Sequence, residues 1–187
     1  HKITLIDTHL REILADLPAA ARGSLDRLRA AGGTGEMHEL LRRRRSDLNN
    51  VDAFGLLDAE GNLLASSRLH PQPSPPPNVR DGVFFPQLID RAAPELVIGN
   101  VTKSPVTGRP VFLMARRIPG PDAEFLGFVI AVIDIATLRD SQHAFMAHSG
   151  NAIALSRADD GTILVRNPHD PRIVGMKLAN PEWHRLI

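Results

Sequence analysis

The hydrophobic period changes at Val51, and this change constrains the fold more than any other feature of the sequence. Before it, Ile3, Ile6, Leu10, Ile13 and Leu17 stand three and four residues apart, the seam of a helix that packs along another helix. Pro18 ends or kinks that run, because it has no N–H and clashes with the preceding turn. A second helical stretch is expected over residues 19–30, stopping at Gly32-Gly33, and a third over 36–48 with Leu40, Leu41 and Leu48 apolar. After Val51 the pattern is short β-rich runs separated by turns. Strands are expected at 51–58, 62–67, 97–104, 111–118 and 125–135, with a short helix at 84–92. The turns carry Asp58-Ala59-Glu60-Gly61-Asn62, Pro105-Val106-Thr107-Gly108-Arg109 and Pro119-Gly120-Pro121-Asp122, residue types that set turn geometry. Helices first, then five strands joined by turns, describe an α+β fold with one antiparallel sheet.

Residues 69–78 interrupt this order with Pro71, Pro73, Pro75, Pro76 and Pro77, which rule out regular hydrogen-bonded structure. The segment is either a linker or a flap over a pocket. A connecting helix is expected at 136–147, and the hairpin pattern of 54–65 then recurs at 153–165 around Asp159-Asp160-Gly161. Two copies suit two similar sheet domains, the second represented by its opening strands. The expected organisation is a helical stalk at 1–50, a sheet domain at 51–147 and the beginning of a second at 148–187. The Ile3-to-Leu17 seam either covers the sheet or forms a homodimer through the N-terminal helix.

Composition removes several function classes. The 22 basic and 21 acidic residues leave a formal charge of +1, which gives no footprint for nucleic acid. The run Arg42 to Arg45 reads as a solvated helix face. There is no cysteine, so disulfides, thiolate zinc sites and cysteine nucleophiles are absent. No phosphate loop, HExxH motif or nucleophile elbow occurs, and nothing calls for a cofactor or an enzymatic role. His143, His148 and Asp140 do not share a helix face as metal ligands would. No stretch reaches the roughly 20 apolar residues that span a bilayer. The chain has neither an initiator Met nor a signal peptide, and it is expected to be a piece of a longer protein.

The ordered segments AFGLLDAEGNLLASS, RDGVFF, LVIGNVTKSPVTGRPVFLMARRI, GFVIAVIDI, IALSRADDGTILVRNP and IVGMKL resemble the tandem Cache domains of bacterial histidine kinases, diguanylate cyclases and chemoreceptors, over roughly residues 36–178. The resemblance implies a PAS-like five-stranded sheet and an extracytoplasmic (periplasmic) sensor belonging to an inner-membrane receptor. Such a domain binds a small molecule between the sheet and the loop-helix segment covering it. The organic acid, amine and amino-acid classes are all open. The alternative is a degenerate sensor that dimerises or docks a protein without a small ligand. In carboxylate-binding members the position of Gly82 is often Arg and a Tyr or Trp follows. Here the clamp is missing, and the chain contains no Tyr. The candidate ligand residues are therefore Phe84, Phe85, Arg116, Arg117 and Asp134. Arg116 and Arg117 point to opposite faces of their strand. Asp134 either anchors an ammonium group or caps the helix that follows it.

Overall fold

The computed structural model describes residues 2–82, 84–90, 95–104, 106–146 and 153–178. Helix α1 covers Lys2–Asp16, and a 3₁₀ turn, Ala19–Gly23, begins directly after Pro18. The expected helix over 19–30 is split at Ser24. Its extended backbone and side-chain acceptor for Arg27 N–H (3.3 Å) make it the N-cap of α2, Leu25–Gly32. Thr34 caps α3, Gly35–Ser46, in the same way, accepting from Met37 N–H at 3.3 Å.

The strands are β1 (Val51–Asp58), β2 (Leu63–Ser66), β3 (Leu96–Ile98), β4 (Thr102–Lys103), β5 (Pro110–Pro119) and β6 (Phe125–Asp134). They form one sheet in the order β2-β1-β6-β5-β3, and the two-residue β4 pairs with the start of β5. β1 runs antiparallel to both β2 and β6. The expected five-stranded antiparallel sheet is thus present, except that the run 97–104 is broken at Gly99-Asn100 into β3 and β4. Helix α4 occupies Phe85–Ile89, within the expected 84–92, of which 91 and 92 lie outside the described residues. Helix α5 spans Ile135–Met146, and β7 (Ile153–Ser156) and β8 (Ile163–Asn167) make a separate antiparallel hairpin.

The chain divides into two compact units, one of His1–Val97 with Leu113–Ile133 and one of Ile98–Phe112 with Asp134–Ile187. In the first unit, Ile6, Leu10, Ile13 and Leu17 are all buried, none more than 2 % exposed. Those four side chains are therefore covered by the chain's own elements, while Ile3, the first of the seam, is half-buried. Burying each such side chain contributes about 1.5–3 kcal/mol, so the seam fixes α1 firmly. The arginine run completes the attachment. Arg44 donates to Glu12 and Asp16, both at 2.6 Å, tying α3 to α1, and Arg45 donates to the Asp52 carbonyl at 2.8 Å.

The pairing of β1 with β6 depends on one glycine. Gly127 sits opposite Asp58 with φ of +155°. A Cβ there would lie 2.1 Å from the Leu57 carbonyl oxygen, well inside van der Waals contact. Gly127→Ala is expected to cost on the order of 3 kcal/mol, measured as a lowered urea midpoint. An unchanged midpoint would show that the two strands can separate there without loss.

Candidate functional site

The two faces of the first unit's sheet carry different chemistry. On the α4 face, Leu57, Ala115, Phe128 and Ile130 form a cluster with Phe85, Leu88 and Val97. Phe84, Val79 and Phe125 pack against its edge. Phe85 meets Phe128 edge-on at 5.9 Å, and Phe125 stacks on Phe128 at 5.8 Å, both favourable aromatic geometries. Arg117 belongs to this face. Its guanidinium lies 4.7 Å above the Phe125 ring and donates to the Asp90 carbonyl. Among the described residues no carboxylate pairs with it.

Arg116 turns the other way, as strand alternation requires. It is 5 % exposed and donates through Nε and Nη2 to the two oxygens of Asp7 on α1, at 2.6 and 3.0 Å. Its Nη1 donates to Glu95 at 3.1 Å. Burial pushes the Asp7 carboxyl upward, but the hydrogen bonds and charges of Arg116 and Arg11 outweigh it and hold the group below its ordinary range. The structure therefore brings Phe84, Phe85 and Arg117 to one face and commits Arg116 to the helix side.

The turn before α4 closes tightly on Gly82. Gly82 N–H donates to the Val79 carbonyl at 2.9 Å, and a Cβ at position 82 would stand 2.9 Å from that same oxygen. A side chain there requires the turn to open.

Asp134 belongs to the second unit. Its Oδ1 accepts from Thr137 N–H at 3.1 Å, and its Oδ2 accepts from Arg109 at 3.2 Å. Of the two roles open to it, helix capping is the one its contacts display. Burial raises its pKa, and the bonds from Thr137, Arg109 and Ala136 reverse the sign and lower it. The side chain of His143, and His148, lie outside the described residues.

A half-open cavity of about 270 Å³ lies on the helix side of the first unit, where Gly33, Thr34 and His38 of the α2–α3 elbow face Leu64, His70 and Gln72. The proline-rich segment therefore lines a pocket and is not a bare linker. The His38 ring stacks on His70 at 4.7 Å, and its Nδ1 donates to the Ser66 carbonyl at 2.6 Å. Sequence reasoning missed this pair. It also missed Asp7 and Glu95 as partners of Arg116, since no local spacing links residues 109 and 21 positions apart.

No family model matches the chain, and no curated protein is significantly similar to it. Solved structures are similar to it in fold. The extracellular domain of rpHK1S-Z16, which is assigned as a histidine kinase, shares 24 % identity with a TM-score of 0.62, over 87 % of this chain and 67 % of that one. The ligand-binding domain of the Pseudomonas fluorescens chemoreceptor CtaA, in complex with L-valine, shares 19 % with a TM-score of 0.61, over 97 % of this chain and 71 % of that one. The sensor domain of the V. cholerae histidine kinase DctB shares 13 % with a TM-score of 0.52, over 93 % of this chain and 58 % of that one. The chain has the fold of an extracellular sensor domain. In this sensor fold the α4 face carries Arg117, while Asp134 is engaged in its own unit.

Asp134 gives a pH-dependent prediction. Its folded pKa lies below the ordinary 3.8, so its stabilisation is complete above that value and is lost as pH falls through the folded one. Asp134→Ala is expected to cost about 1 kcal/mol at pH 7. Urea unfolding at stepped pH should show the gap from wild type constant down to about pH 5 and closing below pH 4. A gap that persists undiminished at pH 2 would mean the carboxylate is not its source.

Proposed function

We propose that this chain is the extracytoplasmic ligand-sensing domain of a bacterial transmembrane signalling receptor of the histidine kinase or diguanylate cyclase type, and that its ligand is a small organic acid held by Arg117. The carrying observation is the contrast between two neighbouring arginines. Arg116 has two carboxylate partners. Arg117, on the face covered by α4, has a carbonyl and a ring. A guanidinium held by stacking and one backbone acceptor keeps donors available, and its planar fork suits a carboxylate. Phe125, beneath the guanidinium, and the apolar cluster of the same face supply the apolar wall that a small-molecule site needs.

The turn at Gly82 and the engagement of Asp134 argue against an α-amino acid gripped at both ends. No helix among the described residues is long and apolar enough to cross a membrane, so the proposed receptor's anchors belong to segments outside these residues. A second similar domain opening near residue 148 is part of the same proposal, supported by the β7–β8 hairpin.

The competing reading is a degenerate sensor that acts as a dimerisation or protein-interaction module. It is favoured by Phe85 and Leu88, both buried against Phe128 on the face where a ligand would lie. A thermal-shift series with small mono- and dicarboxylates, primary amines and neutral analogues separates the two. At least one carboxylate should raise the melting temperature, and Arg117→Gln should weaken its binding by about 2–5 kcal/mol without unfolding the chain. A response to amines alone, or binding unchanged in the variant, would overturn the assignment to Arg117. No response to any compound, with a dimer in solution, would favour the interaction module.

A further inference from the structure

We propose that Arg116 is a positioning residue that couples Glu95, at the entry to edge strand β3, to helix α1, a coupling that rests on the sensing role proposed above. Its guanidinium has two arms of unequal strength. The inner arm is a two-pronged bond to Asp7, with the Arg116 side chain 6 % and the Asp7 side chain 17 % exposed. The outer arm runs from Nη1 to Glu95, whose side chain is 85 % exposed. The inner arm is shielded from solvent and persistent. The outer one is open to water and salt, and is made or broken at little cost.

Glu95 stands immediately before edge strand β3, next to β5 in the sheet. Asp90, at the end of α4, gives its carbonyl to Arg117 on the opposite face. Two consecutive residues of β5 therefore hold Asp90 and Glu95, one on each side of the sheet. Arg117 senses the ligand face, and Arg116 carries the position of Glu95 to α1. A ligand drawn to Arg117 competes with the Asp90 carbonyl for its donors, one residue along β5 from Arg116. When Glu95 leaves, Nη1 loses its acceptor and the guanidinium reorients on Asp7, the point where α1 is fastened. The linkage is reciprocal, so a displacement of α1 changes how firmly Glu95 is held. A physical link of this kind needs one element that both sites bias, and Arg116 is that element.

The test needs no ligand, which separates its failure from failure of the sensing role. Amide hydrogen exchange is followed by mass spectrometry in the wild-type chain, Glu95→Gln, Arg116→Lys and the double variant. Lysine keeps the charge but lacks the fork. The expected result is that Glu95→Gln speeds exchange in the α1 peptide at least threefold, and that in the Arg116→Lys background it adds nothing there. An effect confined to the peptide around residues 95–98, or one of equal size in both backgrounds, would overturn the coupling. Should Arg116→Lys lose its far-ultraviolet circular dichroism, Asp7→Asn takes its place in the same cycle with the same two outcomes. Coupling found in a chain that binds no compound would leave Arg116 in its role and remove the sensing function instead.

Discussion

Burying a guanidinium on an inner strand is expensive, and the first unit meets the expense by setting Arg116 against Asp7. Desolvation costs several kcal/mol per ion after relaxation. The attraction of a pair about 4 Å apart regains roughly 4 kcal/mol at an effective dielectric near 20. The two terms nearly cancel, so the pair adds little net stability. What it adds is position. The apolar seam Ile6-Leu10-Ile13-Leu17 buries α1 equally well at several small rotations and slides, because hydrophobic contact is non-directional. A two-pronged bond is directional, with both Asp7 oxygens engaged at 2.6 and 3.0 Å. It selects one rotation of α1 on the sheet, and the ties from Arg44 to Glu12 and Asp16 hold the far end.

The legible part of this structure is what local physics writes into short stretches. Period-two runs bounded by turn residues gave the strands, and the 3-4-3-4 spacing gave α1 and its buried side. Strand alternation alone puts Arg116 and Arg117 on opposite faces. Which face each would take was not legible, because that depends on partners distant in sequence. Asp7 lies 109 residues from Arg116, and Glu95 is separated from it by a turn and two short strands. Asp134 shows the same limit from the other side. Its place before a helix allowed a cap, its place at a strand end allowed an anchor, and only Thr137 and Arg109 distinguish them. The His38–His70 stack joins a helix to a proline-rich segment 32 residues on, and nothing in either stretch announces the other.

The two hairpins show how one backbone plan tolerates opposite charge. In the first, buried Asp58 accepts from the N–H groups of Glu60 and Asn62 at 3.1 and 2.8 Å, and Arg29 closes over it at 2.9 Å. In the second, Arg157 stands at the corresponding point and reaches forward to Asp159 at 2.6 Å and Asp160 at 3.4 Å. Burial raises the Asp160 pKa, but its bonds to Thr162 and Lys177 and the charge of Arg157 bring it down to about 2. Both turns close through a left-handed glycine, Gly61 with φ of +85° and Gly161 with φ of +71°, and each glycine N–H donates back to the first residue's carbonyl at 3.0 Å. The shared element is therefore backbone geometry that only glycine adopts freely. The charges are local solutions to the same need, a partner for the buried polar group at the turn.

The proline-rich segment follows a similar logic. Five prolines remove five N–H donors, so the segment cannot join the sheet as a full strand. Its C-terminal end nevertheless is fixed by backbone bonds: Leu63 N–H donates to the Pro77 carbonyl at 2.8 Å and Val79 N–H to the Gly61 carbonyl at 2.9 Å. Near its start, the segment touches the helices through a ring stack rather than a ladder. His38 must carry its proton on Nδ1, because the Ser66 carbonyl that it faces can only accept. That fixes the tautomer and the ring plane on which His70 rests. The segment is thus held at its C-terminal end by the β1–β2 turn and near its start by one oriented imidazole, and the pocket beneath it is closed on its other sides by α2, α3 and β2. The α4 face and the proline-lined pocket, built by different chemistry, meet at Leu63, which packs against the α4 cluster and also lines the pocket.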